Sequence, residues 1–125
     1  MMAEDKFDRG LKNRRQISIT VVGRRSGRTI TLPVWFVSAE DALLLLPVYG
    51  LQTQWYRNLL KNPTITIRAG NERRTLRARA LRDARAVGKV IREFQEKYTP
   101  EMIARLYPGP LDAAVKVRLQ RGVKT

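Results

Sequence analysis

The stretch QISITVVGRRSGRTITLPVWFV, residues 16–37, decides the architecture. Ile17, Ile19 and Val21 alternate with Ser18, Thr20 and Val22, the period of a strand with one buried face. Gly23-Arg24-Arg25-Ser26-Gly27 then forms a turn with a glycine at each end. A second strand follows over about residues 28–38, with Ile30, Leu32, Val34 and Phe36 on one face. Strands joined this tightly pair antiparallel, because a parallel pair needs a crossover of roughly a dozen residues or more. Pro33 lies inside the second strand and cannot donate to a ladder, so an edge or a bulge is expected there.

Working outward, Glu40-Asp41 reads as a hairpin turn and residues 42–48 as an apolar third strand. Residues 52–62 switch to helical spacing, with Trp55 and Leu59, and Tyr56 and Leu60, as i,i+4 pairs. Asn62-Pro63 ends that helix, since the residue before proline avoids the α region. Residues 64–68 and 73–82 form a hairpin about Gly70-Asn71. In it Leu76, Ala78 and Ala80 face one way, and Arg73, Thr75, Arg77 and Arg79 the other. Asp83 caps a helix to about Tyr98, striped by Val87, Val90, Ile91, Phe94 and Tyr98. Thr99-Pro100-Glu101 starts a short further helix and Pro108-Gly109-Pro110 stops it. Residues 113–120 close the chain as a strand, with Val115, Val117 and Leu119 alternating against Lys116 and Arg118. The order β-β-β-α-β-β-α-α-β predicts a mainly β fold: six antiparallel strands in a small barrel, with helices inserted after the third and fifth. No repeat or linker divides the chain, so one domain over residues 16–125 is expected behind a polar lead of residues 1–15.

Composition agrees with a folded core: of 125 residues, 43% are hydrophobic and 29% charged. Lys and Arg outnumber Asp and Glu by 25 to 11, a formal net charge of +14. There is no Cys and no His, which excludes disulfides, thiol nucleophiles, His relays and the usual zinc sites. Chemistry here is therefore borrowed from a cofactor or absent. The longest apolar run, residues 42–48, is far below the ~20 residues that span a bilayer. Residues 1–15 read as neither signal peptide nor anchor, so a cytoplasmic location is expected.

Three features could carry function. Gly23-Arg24-Arg25-Ser26-Gly27-Arg28 offers three guanidiniums, a hydroxyl and two glycines, a set suited to a phosphate or carboxylate. The same loop also reads as a solvated turn, and it lacks the trailing Lys-Ser/Thr of a P-loop. Trp55, Tyr56 and Asn58 follow Pro47-Val48-Tyr49-Gly50, where aromatics beside a tight turn could frame a planar ligand, or Trp55 and Leu59 could be core. Arg73, Arg77 and Arg79 make a basic strand face. Without interleaved aromatics it is not expected to bind nucleic acid specifically; a solvated face or an oligomer contact is the plainer reading. The acids are scattered and give no general acid/base pair.

Residues 21–27 and Thr31-Leu32-Pro33-Val34-Trp35-Phe36-Val37 together resemble the Gly-Arg-Lys-Ser-Gly … Thr-x-Pro signature of the deazaflavin-dependent nitroreductase family. That family belongs to the split β-barrel flavin and deazaflavin oxidoreductases, relatives of pyridoxamine-phosphate oxidase. Trp55-Tyr56-Arg57-Asn58-Leu59-Leu60-Lys61-Asn62-Pro63 is similar to the family's Trp-Tyr-x-Asn-Leu-x-x-Asn-Pro helix. The resemblance covers roughly residues 17–120. It implies a six-stranded split barrel holding the deazaflavin coenzyme F-420, with hydride transfer to a small unsaturated or nitro-type substrate. By position, Arg24, Arg25, Ser26, Gly27 and Arg28 would hold the coenzyme's phosphate or acidic tail. Pro33 and Val34 would lie along its ring, Pro47, Val48, Tyr49 and Gly50 at the ring edge, and Trp55 and Asn58 would support the pocket. FMN binding in the same fold, which relatives place at a homodimer interface, and a non-enzymatic binder of an anionic lipid, cofactor or nucleic acid are the alternatives.

Overall fold

The computed structural model describes residues 6–11, 14–39 and 41–119. Six strands run in chain order: β1 (Gln16–Val22), β2 (Thr29–Ala39), β3 (Ala42–Leu45), β4 (Thr64–Ala69), β5 (Glu72–Leu81) and β6 (Ala114–Arg118). They close a barrel in the order β1-β2-β3-β6-β5-β4, every pair antiparallel. Among the described residues four α-helices decorate it: α1 (Lys6–Leu11), α2 (Gln54–Lys61), α3 (Ala84–Tyr98) and α4 (Pro100–Leu106). The expected architecture is thus the observed one, with α2 after the third strand and α3 and α4 after the fifth.

Inward residues fill the barrel at strand period two, led by Ile17, Ile19, Val21, Phe36, Leu43, Leu45, Ile65, Ile67, Val115 and Val117. A second apolar layer lies outside the wall, where Val87, Val90, Phe94 and Tyr98 of α3 cover Val37, Leu44 and Ala114. β3 is therefore buried on both faces, which accounts for its unbroken apolar sequence. The caps fall where the sequence puts them: Asp83 accepts from the Ala86 N–H at 2.9 Å, and Thr99 from the Met102 N–H at 3.2 Å.

Several boundaries shift. β3 stops at Leu45 rather than residue 48, because Pro47 turns the chain and its carbonyl accepts from the Gly50 N–H. β6 spans Ala114–Arg118; Gln120, like Glu40 of the expected hairpin turn, lies outside the described residues. Ala80 is exposed although it stands opposite the buried Val115, since β4 pairs with β5 only as far as Arg77 and leaves that edge uncovered. The polar lead also contributes to the core: Phe7 and Leu11, an i,i+4 pair on α1, are both buried in the barrel cluster. Gly10 permits that docking, as a Cβ there would sit 2.6 Å from the Ala69 carbonyl oxygen.

Pro33 explains how the barrel is split. It pairs with Ser18 of β1, while the pairing of β2 with β3 begins only at Phe36. The first half of β2 thus has one sheet neighbour, and the missing donor costs no ladder bond on the open side. Tyr98 pins this region from α3, its hydroxyl sharing a proton between the carbonyls of Arg15 (2.7 Å) and Phe36 (2.8 Å). The Lys97 ammonium also donates to the Phe36 carbonyl at 2.8 Å and sits 3.7 Å from the Phe36 ring centroid.

Partial burial lowers Lys97 from the ordinary 10.5 to about 8, against the carbonyl and ring, which favour the charged form. The unfolded chain holds that proton to higher pH than the native state does. Stability contributed by this group therefore rises as pH climbs from about 8 towards 10.5. Lys97→Met is expected to flatten the rise in urea midpoint between those pH values. An unchanged rise in the variant contradicts the assignment.

Candidate ligand cavity

The open half of β2 forms one wall of a cavity of about 550 Å³, a size ordinary for small-molecule sites. Leu32, Val34, Trp35, Val48, Trp55 and Tyr107 make most of its lining apolar, and Gln16, Thr53, Gln54 and Asn58 add polar groups. Ile30 and Tyr49, both substantially exposed, stand at it as well. The second wall is α2 and the segment before it. Gly50–Gln52 makes a single tight turn, and the Thr53 hydroxyl accepts from the Tyr49 N–H at 2.7 Å, fixing how α2 begins. Trp55, Tyr56, Asn58 and Leu59 are buried on the helix, which ends at Asn62 before Pro63. Trp55 satisfies both readings, belonging to the barrel core while facing the cavity.

The loop between β1 and β2 closes on itself through Gly23 N–H to the Arg28 carbonyl (2.7 Å) and Gly27 N–H to the Gly23 carbonyl (2.9 Å). Gly27 has φ +75°, a left-handed conformation that suits glycine. The Ser26 hydroxyl accepts from the Arg28 N–H at 3.1 Å. Arg24 joins this loop to α2. Its backbone N–H (3.1 Å) and guanidinium (2.7 Å) both donate to Asn58 Oδ1, and the second guanidinium nitrogen donates to Gln54 Oε1 at 2.9 Å. Lys61 completes the joint by donating to the Arg24 carbonyl at 3.3 Å. The Arg24 pKa is lowered by desolvation first, then by Arg57 and Arg25. Arg25 and Arg28 remain exposed.

The structure therefore sorts the expected site residues. Pro33, Val34, Val48, Tyr49, Trp55 and Asn58 meet around the cavity. Arg25, Ser26, Gly27 and Arg28 stand on the loop that Arg24 ties to Asn58 and Gln54 in the cavity wall. Pro47 and Gly50 do not line the cavity; Gly50 packs against Pro110 and Asp112. Ile30 and Leu32 could have been added from the period-two pattern through Val34. Tyr107 carried no local signal, because only the packing of α3 and α4 brings it to β2, edge-on to Trp35 at 5.8 Å. Burial raises the Tyr107 pKa, with the neighbouring Tyr98 adding to the shift, so its hydroxyl stays neutral at ordinary pH.

Asn58→Ala should cost about 1–3 kcal/mol of stability, because it strands the Arg24 N–H beside a buried gap. Asn58→Asp, which keeps the acceptor, is expected to restore most of it. Urea unfolding of the two variants checks this, and equal midpoints for Asn58→Ala and the unsubstituted chain would count against the joint.

Barrel, split and cavity together define a split β-barrel with a ligand-sized cavity at its open wall. The chain belongs to the F420H(2)-dependent quinone reductase family, whose model matches residues 3–100. It is 30% identical over 93 residues to Rv3178 of Mycobacterium tuberculosis, a protein assigned as an F420H(2)-dependent quinone reductase. That match covers 72% of this chain and 64% of the relative, so the chain spans just under two thirds of the relative's length. Among solved structures, the F420-H2 dependent reductase FDR-A superposes with a TM-score of 0.66 at 21% identity, covering 84% of this chain and 95% of that one. A structure described as a domain-swapped dimer superposes with a TM-score of 0.67 at 22% identity, covering 84% and 81%. At these identities the two structures speak to the fold. No helix among the described residues is long and apolar enough to cross a membrane.

Proposed function

We propose that this chain is a deazaflavin-dependent oxidoreductase that binds reduced coenzyme F-420 and passes a hydride to a small quinone, nitro or other unsaturated acceptor. The observation that carries the reading is the apolar cavity of about 550 Å³ joined by Arg24 to a basic, glycine-bounded loop. The donor set suits the coenzyme: apolar and aromatic walls for a planar ring, neutral amides and a hydroxyl at its edge, and the exposed cations Arg25 and Arg28 for an anionic tail. Bound there, the reduced coenzyme would supply its two electrons as a hydride, chemistry that asks no nucleophile of a chain without Cys or His.

The chain's own residues then have distinct tasks. Trp55, Val34 and Leu32, which line the cavity, would exclude water and hold the ring by contact. Asn58 and Gln54 act through Arg24, holding the loop against the cavity. Tyr107, kept protonated, offers a neutral hydroxyl rather than a charge to whatever shares the cavity. The net charge of +14 speeds encounter with a polyanionic ligand. FMN in the same cavity is the competing cofactor, and a homodimer is the assembly suggested by the domain-swapped relative.

The test is anaerobic mixing of the purified chain with reduced F-420 and a soluble quinone, following the coenzyme's oxidation by absorbance. Turnover above the rate without protein, saturable in quinone, is expected. Turnover with reduced FMN but not with reduced F-420 would overturn the cofactor assignment.

A further inference from the structure

A second groove, of about 520 Å³, lies between the end of α2 and the outer face of β5 and β6. Leu60 and Pro63 give it an apolar side, and Arg77, Arg79, Lys116 and Arg118 line it as cations; no acid lines it. Arg79 stands directly opposite Lys116 in the β5–β6 ladder. On the neighbouring β4–β5 ladder Arg68 stands opposite Arg73. Like charges facing each other across strands weaken a sheet, so the barrel's outer face carries these pairs at a cost to folding. Arg77, Arg79 and Lys116 have no ion-pair partner among the described residues. Arg118 reaches Asp41 at 3.5 Å, with both side chains well exposed, a pair that neutralises little.

The period of β5 sets Arg73, Arg77 and Arg79 along one exposed row. Beside the row, Leu60 is 51% exposed. No aromatic side chain lines the groove, so it lacks the stacking platform that a single-stranded nucleic acid takes. A plane of cations next to a protruding leucine instead matches a surface of headgroup phosphates above an acyl layer.

We propose that the β5–β6 face, with Leu60 at its edge, docks this chain onto an anionic phospholipid bilayer. The inference stands apart from the cofactor reading, since none of its residues touches the ring cavity. α2 nonetheless serves both, with Trp55 and Asn58 in the cavity and Leu60 in the docking face. A docked chain would therefore hold one wall of its cavity next to lipid, where apolar acceptors concentrate.

The experiment is co-sedimentation of the full chain, without coenzyme, with vesicles of phosphatidylcholine alone or mixed with phosphatidylglycerol. Binding to the mixed vesicles, falling with salt, is expected, with none to phosphatidylcholine alone. Arg77→Gln with Arg79→Gln should lower the partition coefficient at least about tenfold. Arg92→Gln with Arg105→Gln removes the same charge from exposed positions on α3 and α4 and should change it less than about twofold. Leu60→Asn should weaken vesicle binding several-fold while leaving affinity for a DNA oligonucleotide unchanged. Equal losses from the two arginine pairs would reduce the effect to net charge. An unaffected Leu60→Asn variant would make the face a polyanion site, and no binding to mixed vesicles would end the proposal.

Discussion

Replacing Arg25 and Arg28 together with alanine is expected to weaken F-420 binding by about 3–6 kcal/mol, at roughly 1.5–3 kcal/mol for each charge-assisted hydrogen bond to the anionic tail. That is more than about a hundredfold in dissociation constant. The loop should survive the change, because backbone amides, Ser26 and glycine close it, not these two side chains. Arg24 is a different case. Its guanidinium already serves Asn58 and Gln54, so Arg24→Ala should lower stability and affinity together. Arg77→Ala with Arg79→Ala lies away from the cavity and should leave coenzyme affinity nearly unchanged. Titration followed by tryptophan fluorescence reads all three. A change below about threefold for the Arg25 and Arg28 pair would remove the loop from the ligand site.

Gly50→Val is expected to destabilise the fold by on the order of 3 kcal/mol. Gly50 has φ +58°, and a Cβ there would collide with Asp112 Oδ1 and lie 2.6 Å from the Pro110 carbonyl oxygen. Asp112 has little room to retreat without breaking the hydrogen bond it accepts from the Leu51 N–H at 3.0 Å. The turn between β3 and α2 would have to move, taking the Tyr49–Thr53 bond and the start of the cavity wall with it. Coenzyme affinity should fall alongside the urea midpoint. A midpoint within about 0.5 kcal/mol of the unsubstituted chain would mean that this turn is not tightly held.

These two positions also mark what the sequence made legible. The barrel followed from the hairpin at residues 16–37 and from turn signals spaced too closely for parallel crossovers. The candidate site was half visible: Pro33, Val34, Trp55 and Asn58 sit on short motifs, and the structure brings them to one cavity. Arg24 read as an anion ligand because a guanidinium in a turn looks free. Whether it is free depends on Asn58, 34 residues away, which no local pattern reports. Gly50 read as part of the ring edge, whereas its contacts come from a segment that reaches it only through the closure of β6. Phe7 and Leu11 were hidden for a related reason. Two apolar residues among charges make a weak stripe until a barrel end is there to receive them.

The proposed site takes a deazaflavin ring in preference to a flavin. Its most direct test is the titration of purified, ligand-free protein with F-420 and, separately, with FMN, by quenching of tryptophan fluorescence. Trp55 lines the cavity and should respond to either ligand. Saturable F-420 binding at micromolar concentration or tighter is expected, with FMN at least about tenfold weaker. The opposite preference, or no quenching by F-420 at micromolar concentration, would contradict a deazaflavin site.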